Sequence, residues 1–223
     1  MTITIILFFI ATGATGFIVL RRCYLKSEKT MMFTKQYRDS YIELVNEFYG
    51  TYDNYHKRGN LNSEKYMWLT KNANKMQSIL GQSGIIYYVS PFQKYSVPNY
   101  HLLINTLPKF REKLLHESEV NMVDDALLRK YGILEEVVNS KLKELRHPFV
   151  WFKQGFKEMF SLPFYIINWF GIIPDKIVGR ITSNIIFNII VGIGSLITFL
   201  SGMVKIIQGK EATIHFFKTL LHK

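Results

Sequence analysis

Three stretches of this chain contain no aspartate, glutamate, lysine or arginine: Met1 to Leu20, Met159 to Pro174 and Ile181 to Val204. A helix that crosses ~30 Å of hydrocarbon needs about 20 predominantly apolar residues, so the first and third stretches are long enough and the second is marginal. The pattern predicts an all-α membrane protein. An N-terminal transmembrane helix (1–20) precedes a cytoplasmic helical bundle (21–147) with a small loop or β-hairpin insertion. An interfacial helix (148–158), a C-terminal transmembrane hairpin (159–204) and a basic amphipathic tail (205–223) follow.

Orientation follows from charge. The net charge is +11, and Arg21-Arg22-Cys23-Tyr24-Leu25-Lys26 directly follows a first stretch that has no positive charge before it. By the positive-inside rule the N-terminus lies outside, and the main domain and C-terminus are cytoplasmic at a plasma (inner) membrane. A cleaved signal peptide is the rival, with Ala11 to Ala14 as a poor cleavage site and no basic region before the apolar stretch. If Met159 to Pro174 crosses, the third stretch returns and the tail (Lys205, Lys210, Lys218, Lys223) ends inside. If that segment only re-enters, the same tail lies outside, against the rule, so three crossings are expected, with 175–180 as a short external turn. The basic excess also implies attraction to anionic lipid. The lone Cys23 rules out an intramolecular disulfide and a cysteine-rich metal site.

Between the first two stretches the apolar residues recur at helical spacing. Tyr37, Tyr41, Leu44, Phe48, Tyr52 and Tyr55 define one face of a helix over about 34–56. Asn62 or Ser63 caps a second helix to about Leu80, with Glu64 in its first turn and Tyr66, Leu69, Met76 and Ile79 on its apolar side. Glycines 81 and 84 and prolines 91 and 98 then bracket a β-like run, Ile85 to Val89. Helical character returns over 100–116, interrupted by Pro108, and over 120–146, where Met122, Ala126, Leu127, Tyr131, Leu134, Val138 and Leu142 form the apolar face. Aromatics mixed with lysines over 148–160 belong at headgroup level.

The third stretch carries a polar line. At 100° per residue, Asn184, Asn188, Gly192, Ser195, Thr198 and Gly202 fall within about 80° of one another. Such a line on an apolar helix faces protein or water, because unsatisfied polar groups in hydrocarbon cost several kcal/mol. Two readings follow: tight helix packing with asparagine as interhelical glue, or the lining of a hydrated pore built from several copies. Either one suggests a homo-oligomer, because a chain with three spans has few partners within itself. A small-residue patch from Ala11 to Gly16, with Gly13 and Gly16, is the expected partner of this span.

Catalytic motifs are sparse. No P-loop, G-x-S-x-G, H-E-x-x-H or G-x-G-x-x-G is present, and neither cofactor nor metal is implied. Arg111 and His116 match an Arg-x4-His spacing. For ligands, Tyr87, Tyr88, Phe92, Lys94 and Tyr95, with Lys109, Arg111 and Lys113 nearby in sequence, supply aromatics and cations of the kind that hold a nucleotide or single-stranded oligonucleotide. A core-packing loop explains the same residues, and a cytosolic regulatory protein is a further partner for the domain.

In architecture the chain resembles small membrane effectors of bacterial anti-phage defence. It is similar to Hailong-type channel effectors, which nucleic-acid-like oligomers gate, in its N-terminal span, basic helical domain and membrane hairpin. Arg111 and His116 resemble the helix-borne pair of HEPN-type ribonucleases, as in membrane-bound HEPN-like CRISPR effectors. The resemblance implies a homo-oligomeric membrane channel or membrane-disrupting effector gated through its cytoplasmic domain. A membrane-anchored binding or scaffold protein and a membrane-tethered HEPN-like ribonuclease are the alternatives.

Overall fold

The computed structural model describes residues 2–50, 61–89, 95–112 and 114–208. It divides into two compact units, one of Met1–Leu25 with Ser140–Lys223 and one of Lys26–Asn139. The chain is mostly helical: α1 (Thr2–Gly50), α2 (Ser63–Leu80), a 3-10 turn (Gly81–Gly84), β1 (Ile85–Val89), β2 (Ser96–His101), α3 (Leu102–Glu112), α4 (Glu117–Leu145), α5 (Pro148–Trp169), α6 (Asp175–Ser183) and α7 (Ile185–Gln208).

The first helix corrects a boundary. The sequence suggests one helix ending near Leu20 and another starting near Thr34, but α1 is continuous through both. The intervening Arg21 to Phe33 contains neither glycine nor proline and is rich in good helix formers, so nothing in it breaks the backbone. A change from apolar to charged marks a change of solvent rather than a helix end.

In the unit of Lys26–Asn139 the predicted faces meet. Tyr37, Tyr41, Leu44 and Phe48 of α1 pack with Tyr66, Leu69 and Met76 of α2, Leu103, Leu107 and Phe110 of α3, and Val123 and Leu127 of α4. Tyr52 and Tyr55 lie outside the described residues. Asn62 caps α2, its Oδ1 accepting from Lys65 N at 3.2 Å, as its residue type and position predict. Met122, expected on the buried face of α4, is exposed, while Val120 and Val123 beside it are buried. Gln77 joins three elements: it donates to Gly84 O at 2.8 Å and accepts from Leu103 N at 3.1 Å.

The β-like run is half of an antiparallel hairpin. Ile86 pairs with Tyr100 and Tyr88 with Val97, so the register slips by one residue opposite Tyr87. The extra residue lies at Pro98-Asn99, where Asn99 has φ 56°. A bulge leaves a residue unpaired, which accommodates a proline without a donor and an asparagine in the left-handed region. Pro98 is why β2 is hard to read from sequence.

Proline is also tolerated inside α3, which continues through Pro108 to Glu112 instead of breaking there. Buried Leu103, Leu107 and Phe110 on the two sides of the proline hold both turns of the helix to the core. The helix then stops short of His116.

In the unit of Met1–Leu25 with Ser140–Lys223, α1, α5 and α7 pack around Phe9, Phe152, Phe156, Phe187, Val191 and Phe199. Residues 148–158 and the start of the second apolar stretch form one helix, α5, which passes through Pro163. The expected external turn is longer and ordered: Gly171, at φ 73°, turns the chain, and Asp175 to Ser183 form α6. Asp175 in its first turn and Arg180 in its last complement the helix dipole. Two helices are long and apolar enough to cross a membrane, α1 from Ile6 and α7 over Ile185–Lys205. In α5 the charges end at Glu158, leaving Met159 to Trp169 uncharged, about half the length a bilayer needs.

Candidate functional site

Only the C-terminal part of the polar line of α7, Ser195 and Gly202, is buried against other helices of its own chain; Asn184 is exposed, and a Cβ on Gly192 would meet nothing within 4 Å. Asn184 sits outside the helix at its N-cap, with Oδ1 accepting from Ile186 N at 2.8 Å. Its carbonyl accepts from both Asn188 N and Asn188 Nδ2, each at 3.0 Å. Ser195 is 0 % exposed and donates to Gly192 O at 2.8 Å, and Thr198 donates to Gly194 O at 2.8 Å. The Ser195 and Thr198 hydroxyls and one end of each asparagine amide are thus partnered by nearby backbone, as apolar surroundings demand. Gly202 is buried because a Cβ there would lie 2.4 Å from the Phe9 ring, and a Cβ on Gly194 would touch Phe156 at 3.0 Å. The opposite face, Ile185, Ile186, Ile189, Ile190, Ile193 and Leu196, is exposed.

The small patch of α1 meets α5 rather than α7. A Cβ on Gly16 would fall 1.7 Å from Trp151 O, and one on Gly155 would fall 1.9 Å from Thr12 O, so the two backbones touch. Gly13 has nothing within 4 Å of such an atom. Small residues four apart on one helix facing a glycine on another are the usual device for close crossing between apolar helices. Thr12 Oγ1 donates to Phe8 O at 2.8 Å and lies 3.2 Å from Met159 Sδ in the same crossing. Phe9 ties α1 to α7, through Phe199 at 5.8 Å between ring centroids and through Gly202.

The expected ligand face at the hairpin divides. Tyr87 is 67 % exposed, with its hydroxyl donating to Ser96 Oγ at 2.8 Å, and Tyr95 is also exposed. Tyr88 is buried, stacked on Tyr100 with centroids 4.5 Å apart. Lys109 turns the same way, forming an ion pair with Glu119 and lying 5.1 Å over the Tyr88 ring. Its charge is neutralised inside the fold rather than offered to an anion. Phe92, Lys94 and Lys113 lie outside the described residues.

Glu119 is the residue that sequence reading missed. It is 2 % exposed, and its Oε2 has no hydrogen-bond partner among the described residues. Burial and the Glu119 carboxylate push the Tyr88 hydroxyl up to about 12. Burial opposes the Lys109 ammonium, yet its hydrogen bonds to Glu119 and Tyr100 outweigh that and hold it above the ordinary lysine range. The legible signal was its place four residues before Val123 and eight before Leu127, an acid on an apolar period.

Arg111 and His116 stand on different elements. Arg111 is exposed in the last turn of α3, its guanidinium 5.1 Å from the Tyr66 ring, whereas the His116 carbonyl accepts from Glu119 N and Val120 N ahead of α4. The shared helix that the ribonuclease resemblance implies is not formed. Among the described residues no cluster of three or more His, Cys, Asp or Glu could hold a metal ion. Comparison with protein-family models, with curated proteins and with solved structures finds no match.

Proposed function

We propose that the chain is a membrane-anchored helical binding module. In this reading α1, α5 and α7 seat one unit in the bilayer, and residues 26–139 form a cytoplasmic domain that presents the outward tyrosines of its hairpin to a soluble partner. The observation that carries the reading is the burial of Ser195 and Gly202 among helices of the same chain, which uses the polar line for packing. Direction supports the topology. Thr12 lies against Met159 and Gly16 against Trp151, so α1 and α5 run antiparallel. Phe199 meets Phe152 while Phe187 meets Phe164, so α5 and α7 do too. An up-down-up bundle brings Arg21 and Arg22 of α1, Arg146 ahead of α5 and Lys205 of α7 to one side, which agrees with an outside N-terminus and a cytoplasmic C-terminus.

A homo-oligomeric channel or effector is the second reading, favoured by the exposed isoleucine face of α7, which other copies could cover as well as lipid. Ion flux separates the two. The purified chain in liposomes should withstand alkaline extraction and leave an imposed ion gradient intact. Flux abolished by Asn188→Leu and Ser195→Leu would establish the channel instead.

A further inference from the structure

Three aromatic and backbone contacts locate a cluster of cations at one end of the bundle. Phe17 of α1 meets Trp151 of α5 edge-on at 4.9 Å, and the Trp151 indole donates to Leu145 O at 2.9 Å. Arg21 lies one turn beyond Phe17 on the same helix face, and Arg146 directly follows Leu145. Arg22 and Lys143 flank them, and on α7 Lys205 follows Phe199, whose ring meets Phe149 at the start of α5 at 5.4 Å.

All five cations are exposed, and none makes an ion pair among the described residues. Carboxylates elsewhere in the chain are used: Asp124 pairs with Arg38, Glu47 with Lys65 and Glu119 with Lys109. The cations are thus left uncompensated just where the apolar surface ends. Below them Phe17 and Trp151 form the aromatic layer that favours the headgroup region, with the indole already held by Leu145.

We infer that Arg21, Arg22, Lys143, Arg146 and Lys205 form a collar that binds the headgroup phosphates of anionic phospholipids. Guanidinium groups suit the task because they hold phosphate oxygens in a bidentate manner, and long side chains reach from the helix ends to the headgroup layer. The collar rests on the membrane reading above but goes beyond it, since a neutral bilayer would satisfy the anchor alone.

The test uses the full chain with Trp68→Phe and Trp169→Phe, which leaves Trp151 as its one indole. It is reconstituted in phosphatidylcholine vesicles in which either brominated phosphatidylglycerol or brominated phosphatidylcholine is titrated. Trp151 should be quenched at a lower mole fraction of the anionic lipid. The preference should fall about fivefold for each arginine replaced by alanine, the equivalent of ~1 kcal/mol per basic residue at an anionic surface. Arg21→Lys with Arg146→Lys, which keeps the charge, should retain most of it, and high salt should weaken it. Equal quenching by both lipids in a fully incorporated protein overturns the collar while leaving the anchor intact. No quenching, with failure to float with vesicles, overturns both. Binding of a single-stranded oligonucleotide at these arginines without any lipid preference also overturns it.

Discussion

Alanine at Gly16 is expected to push α1 away from α5 and destabilise the bundle by roughly 3 kcal/mol, whereas alanine at Gly13 should be neutral or slightly stabilising. A Cβ at position 16 would sit 1.7 Å from the Trp151 carbonyl oxygen, a backbone atom that no rotamer change can move. The helices must separate, and overpacking of this kind costs about 1–3 kcal/mol or more. It also opens the Phe9, Phe152 and Phe199 contacts on the neighbouring face. Position 13 has open space, so alanine there gains helix propensity, up to about 1 kcal/mol. Denaturation in detergent, followed by helical circular dichroism, should place the two variants on opposite sides of the parent. Gly155→Ala should repeat the Gly16 result, because its Cβ would strike Thr12 O at 1.9 Å.

Lys109→Met is expected to destabilise the domain of residues 26–139 by ~3–5 kcal/mol, the usual consequence of leaving a buried charge without its partner. Glu119 is almost fully buried and one of its oxygens has no partner among the described residues, so it cannot recruit water without opening the core. Adding Glu119→Leu should recover most of the loss, because well-packed apolar residues replace a buried pair at little cost. Urea denaturation of the two single variants and the double variant gives the coupling directly. Alkaline pH probes the same cluster. Tyr88 and Lys109 both hold their protons more tightly folded than unfolded, so the stability they contribute is complete below pH ~10 and declines as pH rises above it. Tyr88→Phe should make that decline shallower.

The sequence made periodic features legible and contact features illegible. The apolar faces of α1 and α2 and the Asn62 cap follow from spacing and residue type, and the structure contains them. The polar line on α7 was also visible as a line, because 100° per residue places its members together whatever they face. What it faces depended on α5 and α1, whose contributions, Phe156 and Phe9, look like ordinary membrane aromatics in the sequence. Gly155 shows the same limit. A single glycine among phenylalanines acquires meaning only when Gly16 lies across from it.

Charge misled in two places for one physical reason: it reports the surrounding medium rather than the backbone. At Arg21 the medium changes while α1 continues, and at Glu158 it changes while α5 continues. At Lys109 and Glu119 the reverse holds, since a lysine expected to meet a ligand and a carboxylate that sequence reading passed over neutralise each other in the core. Arg111 and His116 had the spacing of a pair but lie on different elements, because α3 ends at Glu112.

The membrane anchor with an inward-facing α7 stands or falls on whether water reaches Ser195. With Cys23, which is exposed, replaced by alanine, cysteines placed singly at Ser195 and at Asn184 can be challenged in liposomes with a membrane-impermeant maleimide. Asn184 is exposed at the start of α7 and should react, while Ser195, enclosed by its own chain, should remain unlabelled until the vesicles are dissolved and the protein unfolded. Labelling of Ser195→Cys in intact vesicles at a rate comparable with Asn184→Cys would contradict the account and make the polar line of α7 a water-filled path.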